Sequence, residues 1–228
     1  MKYEEAIAKL RSLACPENLP GMARYGIDVK RALGIQIFKL RDLAKKAGKD
    51  HELALRLWDS GIHEARMLAS LVDEPAEVTE KQIEEWVKDF DSWDICDQVV
   101  HLFEVTPFVY KKIYEWSRRK EEFVKRSAFS LIAAIACHDK KAENGTFLKF
   151  LPVIKRESTD ERNYVRKAVN WALRGIGKRN LKLNKEALKT AREIQKIDSK
   201  AARWIASDAI RELSDPKTLN RLNKKTKK

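Results

Sequence analysis

Apolar residues recur along the chain at intervals close to 3.6, the spacing that gathers them on one face of an α-helix. Ala6, Leu10 and Leu13 mark a first helix between Tyr3 and Cys15, and Val29, Leu33, Ile37, Leu40 and Leu43 mark another that ends near Gly48. The segment between them, Pro16 to Gly21, reads as irregular. Further helices are predicted over about 50–60, 62–72, 79–90, 93–105, 107–119, 121–138, 145–157, 161–178, 185–197 and 200–214. The breaks are short: Gly61, Asp73-Glu74-Pro75, Thr106-Pro107, Asn144-Gly145 and Ser158-Thr159-Asp160. Links of that length place successive helices antiparallel. No period-two alternation competes, so the expected class is all-α.

A faint repeat runs through these helices. Glu64-Ala65-Arg66-Met67-Leu68-Ala69, Val124-Lys125-Arg126-Ser127-Ala128, Tyr164-Val165-Arg166-Lys167-Ala168 and Ala202-Arg203-Trp204-Ile205-Ala206 each set an arginine near the start of the second helix of a pair. With Asp97 taken at the equivalent place, positions 66, 97, 126, 166 and 203 lie 31, 29, 40 and 37 apart. That period suits a right-handed HEAT-like α-solenoid, a stack of antiparallel helix pairs whose second helices line a concave face. The expected organisation is one repeat domain over 1–216 and a basic tail over 217–228. An arginine repeated at one register can follow a phosphate backbone, or it can snorkel and cap its neighbours.

Charge sharpens the picture. The net charge is +13, but it is unevenly spread. From Glu77 to Glu104 nine acids face two lysines, whereas from Glu161 to Lys182 seven bases face one Glu. The stretch from Lys217 onward holds six bases and no acid, and reads as a frayed terminus. A basic surface broken by an acidic insert fits a protein whose one face meets phosphates, or simply a set of solvated helix faces. Cys15, Cys96 and Cys137 are odd in number and far apart, which is neither a disulfide framework nor a zinc pattern. His63-Glu64 has no second His four residues on, so the zinc-protease motif is absent and neither metal nor cofactor is expected. No run approaches the length of a membrane helix, and Met1-Lys2-Tyr3-Glu4-Glu5 lacks the apolar core of a secretory signal. An intracellular, nucleoid-associated location is expected, and without a heptad seam so is a monomer.

The densest chemical signal is Asp91-Ser92-Trp93-Asp94-Ile95-Cys96-Asp97. Asp91 or Ser92 serves as N-cap and Asp94 complements the helix dipole. Asp97 lies beyond the first turn and shares a helical face with Trp93. A carboxylate beside an indole can trap a developing cation, or it can be a core Trp next to a paired Asp. Arg126 opens an apolar helix where its guanidinium can reach a carboxylate or phosphate bidentately. Trp171 adds a second indole within a basic helix.

The segments Trp93-Asp94-Ile95-Cys96-Asp97, Lys125-Arg126-Ser127-Ala128 and Val165-Arg166-Lys167-Ala168-Val169-Asn170-Trp171-Ala172-Leu173-Arg174 resemble the AlkD-type DNA alkylation repair proteins, a HEAT-like glycosylase family. So do Met22-Ala23-Arg24-Tyr25 with Leu33-Gly34-Ile35, and Trp58 with Gly61-Ile62-His63-Glu64-Ala65-Arg66, over roughly residues 20–180 in consistent order. The resemblance implies that Trp93, Asp97 and Trp171 surround the damaged nucleotide, that Arg126 supports Asp97 and the backbone, and that Tyr25 contributes from the N-terminal helices. The repeated arginine register and the basic stretch add Arg66, Arg166, Lys167, Arg174 and Arg203 as expected DNA contacts. The implied partner is double-stranded DNA with alkylated bases. The implied activity is monofunctional hydrolysis of the N-glycosidic bond of cationic N3- or N7-alkylated purines, with the lesion still stacked. Two other readings stand beside it: a non-catalytic HEAT-like protein that binds damaged or branched DNA, and a helical scaffold for an acidic protein.

Overall fold

The computed structural model describes residues 1–226; Lys227 and Lys228, the end of the expected tail, lie outside the described residues. Among the described residues all regular structure is helical. The chain divides into two compact units, Met1–Val109 and Tyr110–Lys228.

The first unit contains α1 (Tyr3–Ser12), α2 (Leu19–Arg24), α3 (Ile37–Ala47), α4 (His51–Asp59), α5 (His63–Val72), α6 (Glu80–Trp86) and α7 (Trp93–Phe103). Side chains satisfy the orphan amides at two of these N-termini: Asp50 accepts from the Leu53 N–H at 2.9 Å and Thr79 from the Gln82 N–H at 3.1 Å. Helix α5 packs on α3, α4 and α7, so it forms the unit's spine and is buried almost all round, His63, Glu64 and Ser70 included. The core centres on stacked indoles. Trp58 and Trp86 lie 4.1 Å apart at an interplanar angle of 3°, with Phe90 and Phe103 tilted against them.

Two expectations fail here, both for tertiary reasons. The predicted helix from Val29 begins only at Ile37, and the segment expected to be irregular, Pro16 to Gly21, holds a short 3-10 turn (Pro16–Asn18) and the first residues of α2. The Leu33, Gly34 and Ile35 N–H groups donate to the buried Glu64 carboxylate rather than to a helical ladder. Gly34 is held at φ +77°, and a Cβ there would stand 2.1 Å from the Cys15 carbonyl oxygen. No helix can continue through such a residue. Ser92 occupies the N-cap position of α7 but makes no capping bond; its hydroxyl donates to Asp91 instead.

The second unit contains α8 (Val109–Trp116), α9 (Glu122–His138), α10 (Asn144–Glu157), α11 (Asn163–Gly177), α12 (Leu181–Gln195), α13 (Lys200–Leu213) and α14 (Pro216–Thr226). Helix α11 packs on α9 and α13, and α10 packs on α12, the two-layer arrangement of helical repeats. The sequence period reappears as physical contact. Arg126 donates to the Tyr164 carbonyl, Asn170 to Asp208 and Arg174 to Glu212, each pair 38 residues apart. The basic stretch after residue 216 is helical to Thr226, and α14 packs on α12 and α13 through the buried Leu222.

Candidate nucleic-acid interface and catalytic cleft

Positions 66, 97, 126, 166 and 203 fall at the fourth or fifth residue of α5, α7, α9, α11 and α13. Every one therefore sits on the second helix of its pair, at one register.

In the first unit, Trp93 and Asp97 share a face of α7 and line a cleft of about 680 Å³. Tyr25, 71% exposed, stands on the same lining. The Trp93 indole N–H donates to the Tyr25 carbonyl at 3.0 Å, which fixes the ring and ties the end of α2 to the start of α7. Residues 34–37 also line the cleft, and the start of that segment is held by Glu64. Its carboxylate is 1% exposed and accepts from Gly34 at 2.7 Å, Leu33 at 2.7 Å and Ile35 at 3.1 Å. Asn18 adds a bond to the Gly34 carbonyl at 2.8 Å.

Next to Glu64, buried His63 meets Asp94 through Nε2 at 2.9 Å. Burial works to lower the His63 pKa, but the hydrogen bond and charge of Asp94, with Glu64 and Asp91 behind it, outweigh burial and raise it above the ordinary 6.5. Asp94 is thus engaged by a histidine as well as standing in the first turn of α7. Arg66 lies with its guanidinium 5.2 Å from the Trp58 ring centroid and its NH2 3.0 Å from Asp89, which also accepts the Trp58 indole N–H at 2.9 Å. Its charge is committed to a neighbouring acid and ring. Glu64 and His63 are site residues that sequence reasoning missed; an acid in the first turn of a helix reads as a dipole partner, and nothing local betrays its distant donors.

In the second unit, Arg126 is 6% exposed and donates to the Tyr164 carbonyl at 2.8 Å. Trp171 lines a separate cleft of about 510 Å³ with Lys140, Lys178, Arg179 and Arg221. Arg166 lies over Trp204, its guanidinium carbon 5.2 Å from the ring centroid. Arg174 pairs with Glu212 at 2.6 Å and Asp208 at 3.3 Å. Lys167 is exposed, and exposed Arg203 pairs with fully exposed Asp198. The two halves of the implied site are therefore built differently: Trp93, Asp97 and Tyr25 share an acid-bearing, largely apolar cleft, and Trp171 sits among cations.

Both units are built from stacked antiparallel helices with a chemically marked second layer, the class of HEAT-like repeat proteins. The family model described as "DNA alkylation repair enzyme" matches residues 6–213. The chain belongs to the DNA alkylation repair enzyme family. A solved structure described as "A new family of proteins related to the HEAT-like repeat DNA glycosylases with affinity for branched DNA structures" superposes with a TM-score of 0.78 at 16% identity, covering 93% of this chain and 95% of that one. A designed armadillo repeat protein matches at a TM-score of 0.33 and 17% identity over 77% of this chain and 92% of that one, too loosely to carry weight. No curated protein matches the sequence. No described helix is long and apolar enough to cross a membrane.

Proposed function

We propose that the protein is a monofunctional DNA glycosylase that hydrolyses the N-glycosidic bond of cationic N3- or N7-alkylated purines in duplex DNA. The observation that carries this reading is the placement of Asp97 beside Trp93 on one face of α7, both opening onto one cleft. A purine alkylated at N3 or N7 already bears positive charge, so it leaves without prior protonation. As the C1′–N bond breaks, its electron pair returns to the base and the sugar becomes oxocarbenium-like. Asp97 opposes that charge and orients the water whose oxygen attacks C1′, and the water's proton passes to the carboxylate or to solvent. The Trp93 indole face favours the same cationic sugar. Arg126 holds the start of α11 through the Tyr164 carbonyl.

Binding is assigned to the phosphate backbone. Tyr25, Arg126, Arg166, Lys167 and Arg203 are the proposed contacts, with exposed Lys167 and Arg203 needing the least rearrangement. Arg66 and Arg174 already neutralise Asp89 and the Glu212–Asp208 pair, so their contribution is to hold the scaffold, and any phosphate they reach must compete with those acids.

The second reading, a non-catalytic binder of branched DNA, is favoured by the description of the superposing structure. One experiment divides the two. Methylated duplex DNA is incubated with the wild type and with Asp97→Asn, and released bases are quantified while binding to duplex and four-way junction DNA is titrated. Release by the wild type that vanishes in Asp97→Asn supports the glycosylase; junction affinity without release from either supports the second reading.

A further inference from the structure

Of the six tryptophans, Trp58, Trp86 and Trp116 are buried, and Trp93 and Trp171 line the two clefts. Trp204, on α13, does neither and is 38% exposed. A single exposed apolar residue is ordinary; the surroundings of this one are not. Lys200, Trp204, Ser207 and Arg211 follow one another at three- and four-residue steps and are all exposed, so they form one solvent-facing stripe of α13, with exposed Arg203 at its edge. The stripe runs for about 16 Å and contains no acid. The acids that touch it are engaged. Asp208, 16% exposed, accepts from Asn170 at 2.7 Å and pairs with Arg174 at 3.3 Å and with Arg211. Glu161 accepts from the Ser199 hydroxyl at 2.8 Å and the Ala201 N–H at 3.0 Å. Only Asp198, fully exposed, answers Arg203, and a pair so open to water is readily exchanged for a phosphate.

The indole is also held in place. Arg166, from α11, sets its guanidinium carbon 5.2 Å from the Trp204 ring centroid, a cation–π contact that orients the ring before any ligand arrives. An oriented aromatic face among cations is the combination that takes a nucleobase together with its phosphates. Inside an intact duplex each base is covered above and below by its neighbours, so the ring can stack only on a base that has left its pair. We propose that the α13 stripe binds unpaired nucleotides of DNA beside a duplex, Trp204 stacking on a base while Lys200, Arg203 and Arg211 meet the phosphates that flank it. The proposal rests on DNA as the partner, common to both readings above, and on neither the catalysis nor the first-unit cleft. It gives the second unit a means of preferring DNA at a place where the strands part.

The test uses the full chain and three labelled probes followed by fluorescence anisotropy: a blunt duplex, the same duplex with a single-stranded overhang, and that duplex with an overhang of abasic residues, which keeps the phosphates and removes the bases. The base-bearing overhang is expected to bind about ten- to a hundredfold more tightly than the blunt duplex, and the abasic overhang to lose most of that advantage. Trp204→Ala brings the base-bearing overhang down to the abasic one, and Trp204→Phe restores part of the difference. The double variant Lys200→Ala, Arg211→Ala weakens both overhang probes alike. The readout is a ratio between probes, which a general fold defect leaves unmoved. Equal affinity for the blunt and base-bearing probes, an advantage that the abasic overhang keeps in full, or an advantage that survives Trp204→Ala overturns the proposal. Base release from methylated duplex with no preference for the overhang would remove this proposal and leave the glycosylase standing. Overhang preference without base release would do the reverse.

Discussion

A carboxylate buried to 1% exposure, as Glu64 is, survives in the folded chain because three backbone N–H groups converge on it. Glu64→Gln replaces one accepting oxygen by an NH2 group that faces donors. Unfolding in urea is expected to show a loss of about 2–3 kcal/mol, with a distorted cleft as the consequence. Gly34→Ala attacks the same corner from the backbone side, where a left-handed φ and the Cys15 carbonyl leave no room for a Cβ. The expected cost is at least about 2 kcal/mol, read as a lowered melting temperature. Both residues lay within segments whose order along the chain suggested the family, but their roles could not be read there. Glu64 is separated by about thirty residues from its donors, and no local pattern encodes a partner at that distance. Trp93 and Asp97 were readable because four residues of helix bring them together unaided.

Caps and apolar periods predict the helices where they agree with the packing, and fail where tertiary contacts override the period. The apolar series Val29, Leu33, Ile37 has helical spacing, yet Glu64 takes the amides that a helix would need. Conversely the polar composition of the last segment predicts a frayed end and hides one buried leucine, Leu222, by which α14 docks on α12 and α13. Between α5 and α7 the link is ionic. The raised pKa of His63 means that the folded state holds its proton more tightly than the unfolded chain. Its contribution to stability is therefore complete below the ordinary histidine pKa of 6.5 and is lost as pH rises through the higher folded value. Thermal melts across pH 5–9 should show this decline in the wild type and a flatter profile in His63→Gln. A stability that rises through neutrality by the same amount in both proteins would refute the assignment. Trp86→Ala removes one partner of the indole stack and is expected to cost about 3–5 kcal/mol without a specific effect on DNA affinity.

At the scale of the whole chain, the repeat spacing seen in the sequence has a physical counterpart in the 38-residue register of contacts within the second unit. Net charge points to polyanions in general and says nothing of the distribution of labour: part of the arginine ladder is neutralised internally, and acids line the cleft that carries Asp97. Duplex affinity is expected to fall steeply with salt, and Lys167→Ala should lower the slope of log affinity against log salt by about one while weakening all sequences alike. The most direct measurement is single-turnover release of 7-methylguanine and 3-methyladenine from methylated duplex DNA by the wild type and Asp97→Asn at matched folding and DNA affinity. The wild type should release base, and the variant should be slower by about a hundred- to a thousand-fold. Equal rates in the two proteins, or no release by the wild type under saturating protein, would contradict a carboxylate acting on a positively charged sugar.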